Sequence, residues 1–152
     1  MAIAPKTKSA ITGIGTRVFI NFDGHGKTAT EITQEMPEVS SAGATTISRE
    51  VKTAVKLSTG EELAAAGSVK YSDQEVKFIL NTASTPMYKQ LQTAILADDK
   101  CDVSMRIVYP TGQELTGNYT IYDLGQPEMG DEIISISVKF KPSGKAAFKD
   151  VV

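Results

Sequence analysis

Reactive side chains are sparse in this sequence: it has one histidine, His25, and one cysteine, Cys101. His25 sits in Asp23-Gly24-His25-Gly26-Lys27-Thr28, whose Gly-Lys-Thr end invites comparison with a phosphate loop. In such a loop successive backbone N–H groups wrap a phosphate. The first glycine of that pattern would fall at Asn21, so the match fails. Glycines interleaved with polar residues read instead as a turn. A histidine base needs an orienting carboxylate and a nucleophile in reach. Only Asp23 is adjacent, so His25 reads as exposed turn chemistry. One histidine and one cysteine cannot build a zinc tetrahedron. Cys101 opens a strand and reads as a small buried hydrophobe. Asp98, Asp99 and Asp102 oppose the dipole of the helix before them. Their spacing is not that of a calcium loop, and they read as a solvated loop. Asn118-Tyr119-Thr120 fits a glycosylation sequon, which needs a secretory context to matter. No catalytic set, cofactor site or metal site is expected, and the chain reads as a non-enzyme.

The elements that would position any site follow from composition and periodicity. The chain has 152 residues, 41% of them hydrophobic and 22% charged, enough for one globular domain without a disulfide or metal staple. Its net charge is -2, and its lysines and arginines are scattered, so phosphate-driven nucleic-acid binding is not expected. No apolar run reaches bilayer-spanning length. Residues 1–10 lack the apolar core of a secretory signal.

Residues 1–11 read as a polar arm. A strand is predicted over 16–22, from the alternation of Val18, Ile20 and Phe22, and a second over 29–35 around Ile32. Pro37 stops the second, and 36–46 reads as a long polar loop. Alternation resumes over 47–57, with Val51, Thr53, Val55 and Leu57 on one face. Residues 61–66 suggest a short helical turn. Strands follow at 69–71 and 75–81. Thr85 as N-cap, Pro86 in the first turn and Met87, Leu91, Ala94 and Ile95 on one face predict a helix over 86–97. Strands at 101–109, 114–124 and 132–140 complete the set, and 142–152 reads as a second arm. About eight strands and one helix predict a mainly β fold, an antiparallel sandwich or half-barrel with the helix packed on it.

The C-terminal half carries a recognisable layout. A capped helix leads into Val103-Ser104-Met105-Arg106-Ile107-Val108-Tyr109, then Gly117-Asn118-Tyr119-Thr120-Ile121-Tyr122. Gly130-Asp131-Glu132-Ile133-Ile134-Ser135-Ile136-Ser137-Val138-Lys139-Phe140 follows, and Pro142-Ser143-Gly144 closes it. This resembles the major tail tube proteins of long, non-contractile bacteriophage tails, whose superfamily includes contractile tails and type VI secretion tubes. The resemblance implies one tail-tube domain over 1–152, with an arm at 1–11, a β core at 12–141 and an arm at 142–152.

It also implies hexameric rings whose sheets join into one inner barrel. Stacked rings would hold a tape-measure protein and meet tail terminator and tail-tip proteins. Double-stranded DNA would pass without specific binding, and no membrane and no cofactor would be involved. The location would be the virion tail, after assembly in the host cytoplasm.

Physics fits that picture. A barrel of about eight strands is filled by its own side chains, so a conduit must come from several chains sharing a sheet. Carboxylates on the lumen would keep DNA sliding, and Glu31, Glu35 and Glu50 are the expected lumen-facing acids. Val39, Ser40, Ser41, Ala42, Gly43, Ala44 and Thr45 form the expected inter-ring loop. The alternative is a monomeric β-sandwich module that binds a receptor or carbohydrate, which calls for an aromatic platform. Aromatics are 7% and Trp is absent. Concentration-dependent growth in size separates the two.

Overall fold

A computed structural model describes residues 15–43, 45–126 and 133–150. The strands among them are β1 (Arg17–Asn21), β2 (Gln34–Glu35), β3 (Val39–Ala42), β4 (Ile47–Val55), β5 (Glu62–Tyr71), β6 (Gln74–Ile79), β7 (Asp102–Val108), β8 (Gln113–Leu124) and β9 (Ser135–Asp150); the helix α1 is Thr85–Leu96. Seven strands form one antiparallel sheet in the order β2-β1-β7-β8-β9-β6-β3, and β4 and β5 form a separate two-stranded sheet. The large sheet does not close into a barrel. It curls until β1 and β3 approach one another, with Met36 N–H bonding back to the Val18 carbonyl.

Period-2 alternation puts one face of this sheet in the core. Val18 and Ile20 on β1 continue through Val103, Met105 and Ile107 on β7, then Tyr119 and Ile121 on β8. Ile136, Val138 and Phe140 on β9 and Val76 and Phe78 on β6 complete the layer. Met87, Tyr88, Leu91 and Ala94 of α1 cover it. Pro86 supports the helix start, where a missing N–H costs nothing. The helix begins at Thr85 with Ser84 as N-cap, not with Thr85 in that role. The Ser84 hydroxyl caps nothing: it donates to the Ile79 carbonyl and accepts from Asn81 N–H, tying β6 to the helix.

Several expectations are corrected. Residues 36–46 are not a plain loop, since Val39–Ala42 is an edge strand paired with β6. A bulge between Val39 and Ser41 breaks its alternation, which hides it from a periodicity reading. The strand expected over 29–35 shrinks to Gln34–Glu35. Before it, Glu31 and Ile32 N–H both bond the Thr28 carbonyl in a turn. The helical turn expected at 61–66 is strand β5, because pairing with β4 overrides the helix preference of its alanines. The arm expected over 142–152 is, as far as Asp150, the second half of β9. It stays in the sheet through a wide bulge against β8, where Gly144 takes φ 78, a conformation side chains resist. The arm at 1–11 lies outside the described residues, as does Ala44.

Candidate functional site

The feature that stands out is the β4–β5 ribbon. Its pairs run from Ile47↔Tyr71 to Val55↔Glu62, and at about 3.3 Å per residue it extends about 30 Å. One face carries Ile47, Arg49, Val51, Thr53 and Val55 beside Glu62, Ala64, Ala66, Val69 and Tyr71. The other carries Ser48, Glu50, Lys52 and Ala54 beside Leu63, Ala65 and Lys70. Alternation over 47–57 implied a half-buried strand, yet every residue of β4 is exposed. Val51 is 62% and Val55 63% exposed, and Leu57 at the tip is 99% exposed. A two-stranded ribbon is marginal in water by itself. The apolar stripe is a strand pattern whose covering layer is not in this chain's own core. Gly67 sits where the ribbon's pairing shifts register; a Cβ there would lie 2.9 Å from the Glu50 carbonyl oxygen, so no larger residue fits without a shift.

The root of the ribbon is held more firmly. Gln74 is fully buried; its amide donates to the Gly43 carbonyl at 2.5 Å, and its carbonyl accepts from the Thr45 hydroxyl at 2.5 Å. On the ribbon side, Thr46 N–H bonds the Ser72 hydroxyl and Ser72 N–H bonds the Thr46 carbonyl. Three tyrosines lie here. Tyr71 donates to the Ala146 carbonyl at 3.4 Å, anchoring the ribbon to β9. Burial pushes the Tyr119 phenol up to about 12, with Tyr109 and Tyr71 adding to the shift. Burial also pushes Tyr109 up, against the Thr45 hydroxyl beside it. The root is therefore a part-buried hydrogen-bonded knot centred on Gln74.

The face of the large sheet opposite the core is polar. Arg17, Lys77, Arg106, Lys139 and Lys141 on it are balanced by Glu35, Glu75, Asp102, Glu114 and Asp123. Arg17 grips Glu35 with two hydrogen bonds, at 2.9 and 2.7 Å, which hold the Glu35 carboxyl below its usual value. Phe19 lies between two guanidinium groups, with Arg106 4.1 Å and Arg17 5.0 Å from its ring centre. The expected lumen acids are not brought together. Glu35 is on this face, Glu31 is in the turn before β2 beside Lys27, and Glu50 is on the ribbon. Of the expected inter-ring loop, Val39, Ser40, Ser41 and Ala42 are the edge strand β3. Gly43 and Thr45 belong to the root, and Ala44 is outside the described residues.

His25 is exposed in its turn, as expected, but it has partners that the sequence does not announce. Its turn folds across the polar face: Gly26 N–H bonds the Asn118 side chain, and the Ser104 hydroxyl donates to the Gly24 carbonyl. His25 Nε2 donates to the Tyr119 carbonyl at 3.0 Å and lies 3.7 Å from Asp102. This is a structural staple across β7 and β8, with no nucleophile beside it. His25→Ala should destabilise the fold by about 0.5–1.5 kcal/mol, the worth of one such bond. Urea unfolding of the variant checks this, with a shifted midpoint at unchanged slope as the expected result. No group of ≥ 3 His, Cys, Asp or Glu among the described residues could hold a metal ion. None of their helices is long and apolar enough to cross a membrane.

No protein-family profile and no curated protein matches the sequence. Solved structures do match. The sheath/tube terminator of an extracellular contractile injection system aligns with TM-score 0.66 and 10% identity, over 93% of this chain and 98% of that one. A chain from the tail of an empty gene transfer agent particle, refined with C6 symmetry, aligns at 0.66 and 12%, over 92% and 99%. The SPP1 tail tube aligns at 0.63 and 14%, over 94% and 81%. The chain has the fold of a tail-tube subunit. Within the tail-tube fold, sequence reasoning placed the helix and the core strands but missed the ribbon as a unit. The signal was present: an apolar alternation at 51–55 facing an alanine run at 64–66, with no aromatic residue to anchor either to a core.

Proposed function

We propose that the protein is a structural subunit that polymerises as stacked six-membered rings into the tube of a virion tail. The observation that carries this reading is the ribbon: an exposed two-stranded arm with an apolar stripe on one face, on a fold shared with tail-tube subunits. The gene transfer agent tail was refined with C6 symmetry, and an anti-feeding prophage baseplate is six-fold symmetrised, which supports the ring size. In this reading the polar sheet face lines the lumen around a tape-measure protein and later passes DNA. Its balanced, paired charges give phosphates no basic stripe to hold. Glu31, Glu35 and Glu50 add negative charge around it, and Val39–Ala42 lies at a ring contact. Terminator and tip proteins close the two ends. Catalysis has no place in this role, since the matching chains come from tube, cap and baseplate assemblies.

Purified protein should form rings or tubes as concentration rises, seen by sedimentation and negative-stain microscopy. A compact monomer at every concentration would overturn the reading and favour the monomeric binding module.

A further inference from the structure

The large sheet leaves one long backbone edge open. On its β6 side, β9 is paired only from Ser135 to Phe140. On its β8 side it is paired almost throughout, to Asp150. Among the described residues, 141–150 therefore have a ladder partner on the β8 side only; on the other side β5 of the same chain approaches without pairing, its Tyr71 phenol on the Ala146 carbonyl. The direction of the backbone agrees. Ile134 presents its carbonyl to Leu80 beside β6, and Ser137 presents its carbonyl to Gly125 at the end of β8. Alternation then turns Pro142 towards the open side, where its missing N–H leaves no ladder bond unmade. Beyond the bulge, Leu115↔Phe148 lies between pairs that face β8, so Phe148 also points its N–H and carbonyl outward.

An edge of this length is an aggregation hazard unless something covers it. The other edges of the sheet cannot do so, because β2 has 2 residues and β3 has 4. The ribbon can: β4 has 9 residues and β5 has 10, each with one side unpaired. A chain's own ribbon touches β9 at its root beside Ala146 but forms a separate sheet, with no ladder to its own β9 among the described residues.

We infer that the open edge of β9, residues 141–150, pairs with the β4–β5 ribbon of the next copy. This rests on the tube reading and assigns the strands that join its subunits. The contact is head-to-tail: each copy offers an edge at one place and a ribbon at another. Repetition of such a contact closes into a ring or continues as a helix. The joined sheet would run β7-β8-β9, then the ribbon of the neighbour.

Cysteine pairs test it in a Cys101→Ser background. Ala147→Cys marks β9, and a second cysteine is placed in turn at Lys52, Thr53, Ala54, Ala64 and Ala65 of the ribbon. Laterally paired strands bring Cβ atoms to about 4.5–5.5 Å, close enough for a disulfide with small adjustment. Mild oxidation of assembled protein should give, at one or more ribbon positions, a non-reducing gel ladder beyond the dimer, with each single cysteine silent. Three results overturn the pairing. Tubes seen by microscopy without any ladder leave the tube reading intact and remove this contact. An internal disulfide in a monomer shows the ribbon folding back on its own edge. A sample that never assembles removes the tube reading and the contact together.

Discussion

Replacing Val51–Ala66 with an Asn-Gly turn leaves a folded subunit that no longer forms tubes. Asn-Gly closes tight hairpins because it accepts the positive φ values they require. The deleted segment contributes nothing to the core cluster. Shortening a loop changes closure entropy by only about 0.6 kcal/mol per halving. Monomer stability should therefore move little. Assembly should fail, because Val51, Val55 and Leu63 are each more than half exposed in the single chain. Covering such side chains contributes about 1.5–3 kcal/mol each, and every subunit of a tube repeats the contact. Thermal unfolding and negative-stain microscopy on the same sample read the two halves. A variant that fails to fold would show that the ribbon belongs to the core; one that polymerises like the parent would show that assembly uses other surfaces.

Gln74→Leu should have the largest effect on the subunit itself. The side chain is fully buried, and leucine fills a similar volume with no polar atom. The Gly43 carbonyl would lose its side-chain partner, and the Thr45 hydroxyl would keep only Tyr109 in a part-buried site. An unsatisfied buried group costs about 1–3 kcal/mol, so a loss of about 1–3 kcal/mol is expected in urea unfolding. Gln74→Glu separates shape from polarity: it keeps the acceptor for Thr45 but cannot donate to Gly43 while ionised, and it should also destabilise. Because Gly43 and Thr45 lead directly into β4, surviving Gln74→Leu subunits should assemble with altered or irregular tube geometry. Wild-type stability in Gln74→Leu would mean that the knot is dispensable.

Much of the core was legible because its residues obey one rule. Val18 and Ile20, Val103 to Ile107 and Ile136 to Phe140 alternate cleanly, since one sheet face meets α1 and the other meets polar surroundings. The helix was legible from Pro86 and its apolar spacing. The failures share a cause, which is a partner remote in sequence or absent from the chain. Glu62–Ala66 reads as helix until β4 is laid beside it. Val39–Ala42 is hidden by its bulge. His25 is exposed in a turn as its sequence suggests, but its hydrogen-bond partner, the Tyr119 carbonyl, is 94 residues away. Val51 and Val55 follow the alternation of a half-buried strand, yet they stand exposed in the single chain. The expected acids failed for a simpler reason: proximity to a loop in sequence says nothing about which face of a sheet a carboxylate meets.

The separation of ribbon from core also bears on how such a protein can change. Substitutions at Phe78 or Phe140 are judged by the fold, whatever the neighbour does. Substitutions at Val51 or Ala64 spare the core cluster and, in the proposed tube, are judged by the adjoining subunit. In the proposed tube every subunit is a copy, so one genetic change would alter the arm and its presentation at every contact at once. The arm can lengthen, shorten or be recoded in step with its receiving edge while the scaffold stays fixed, so chains of one architecture can drift to little shared sequence.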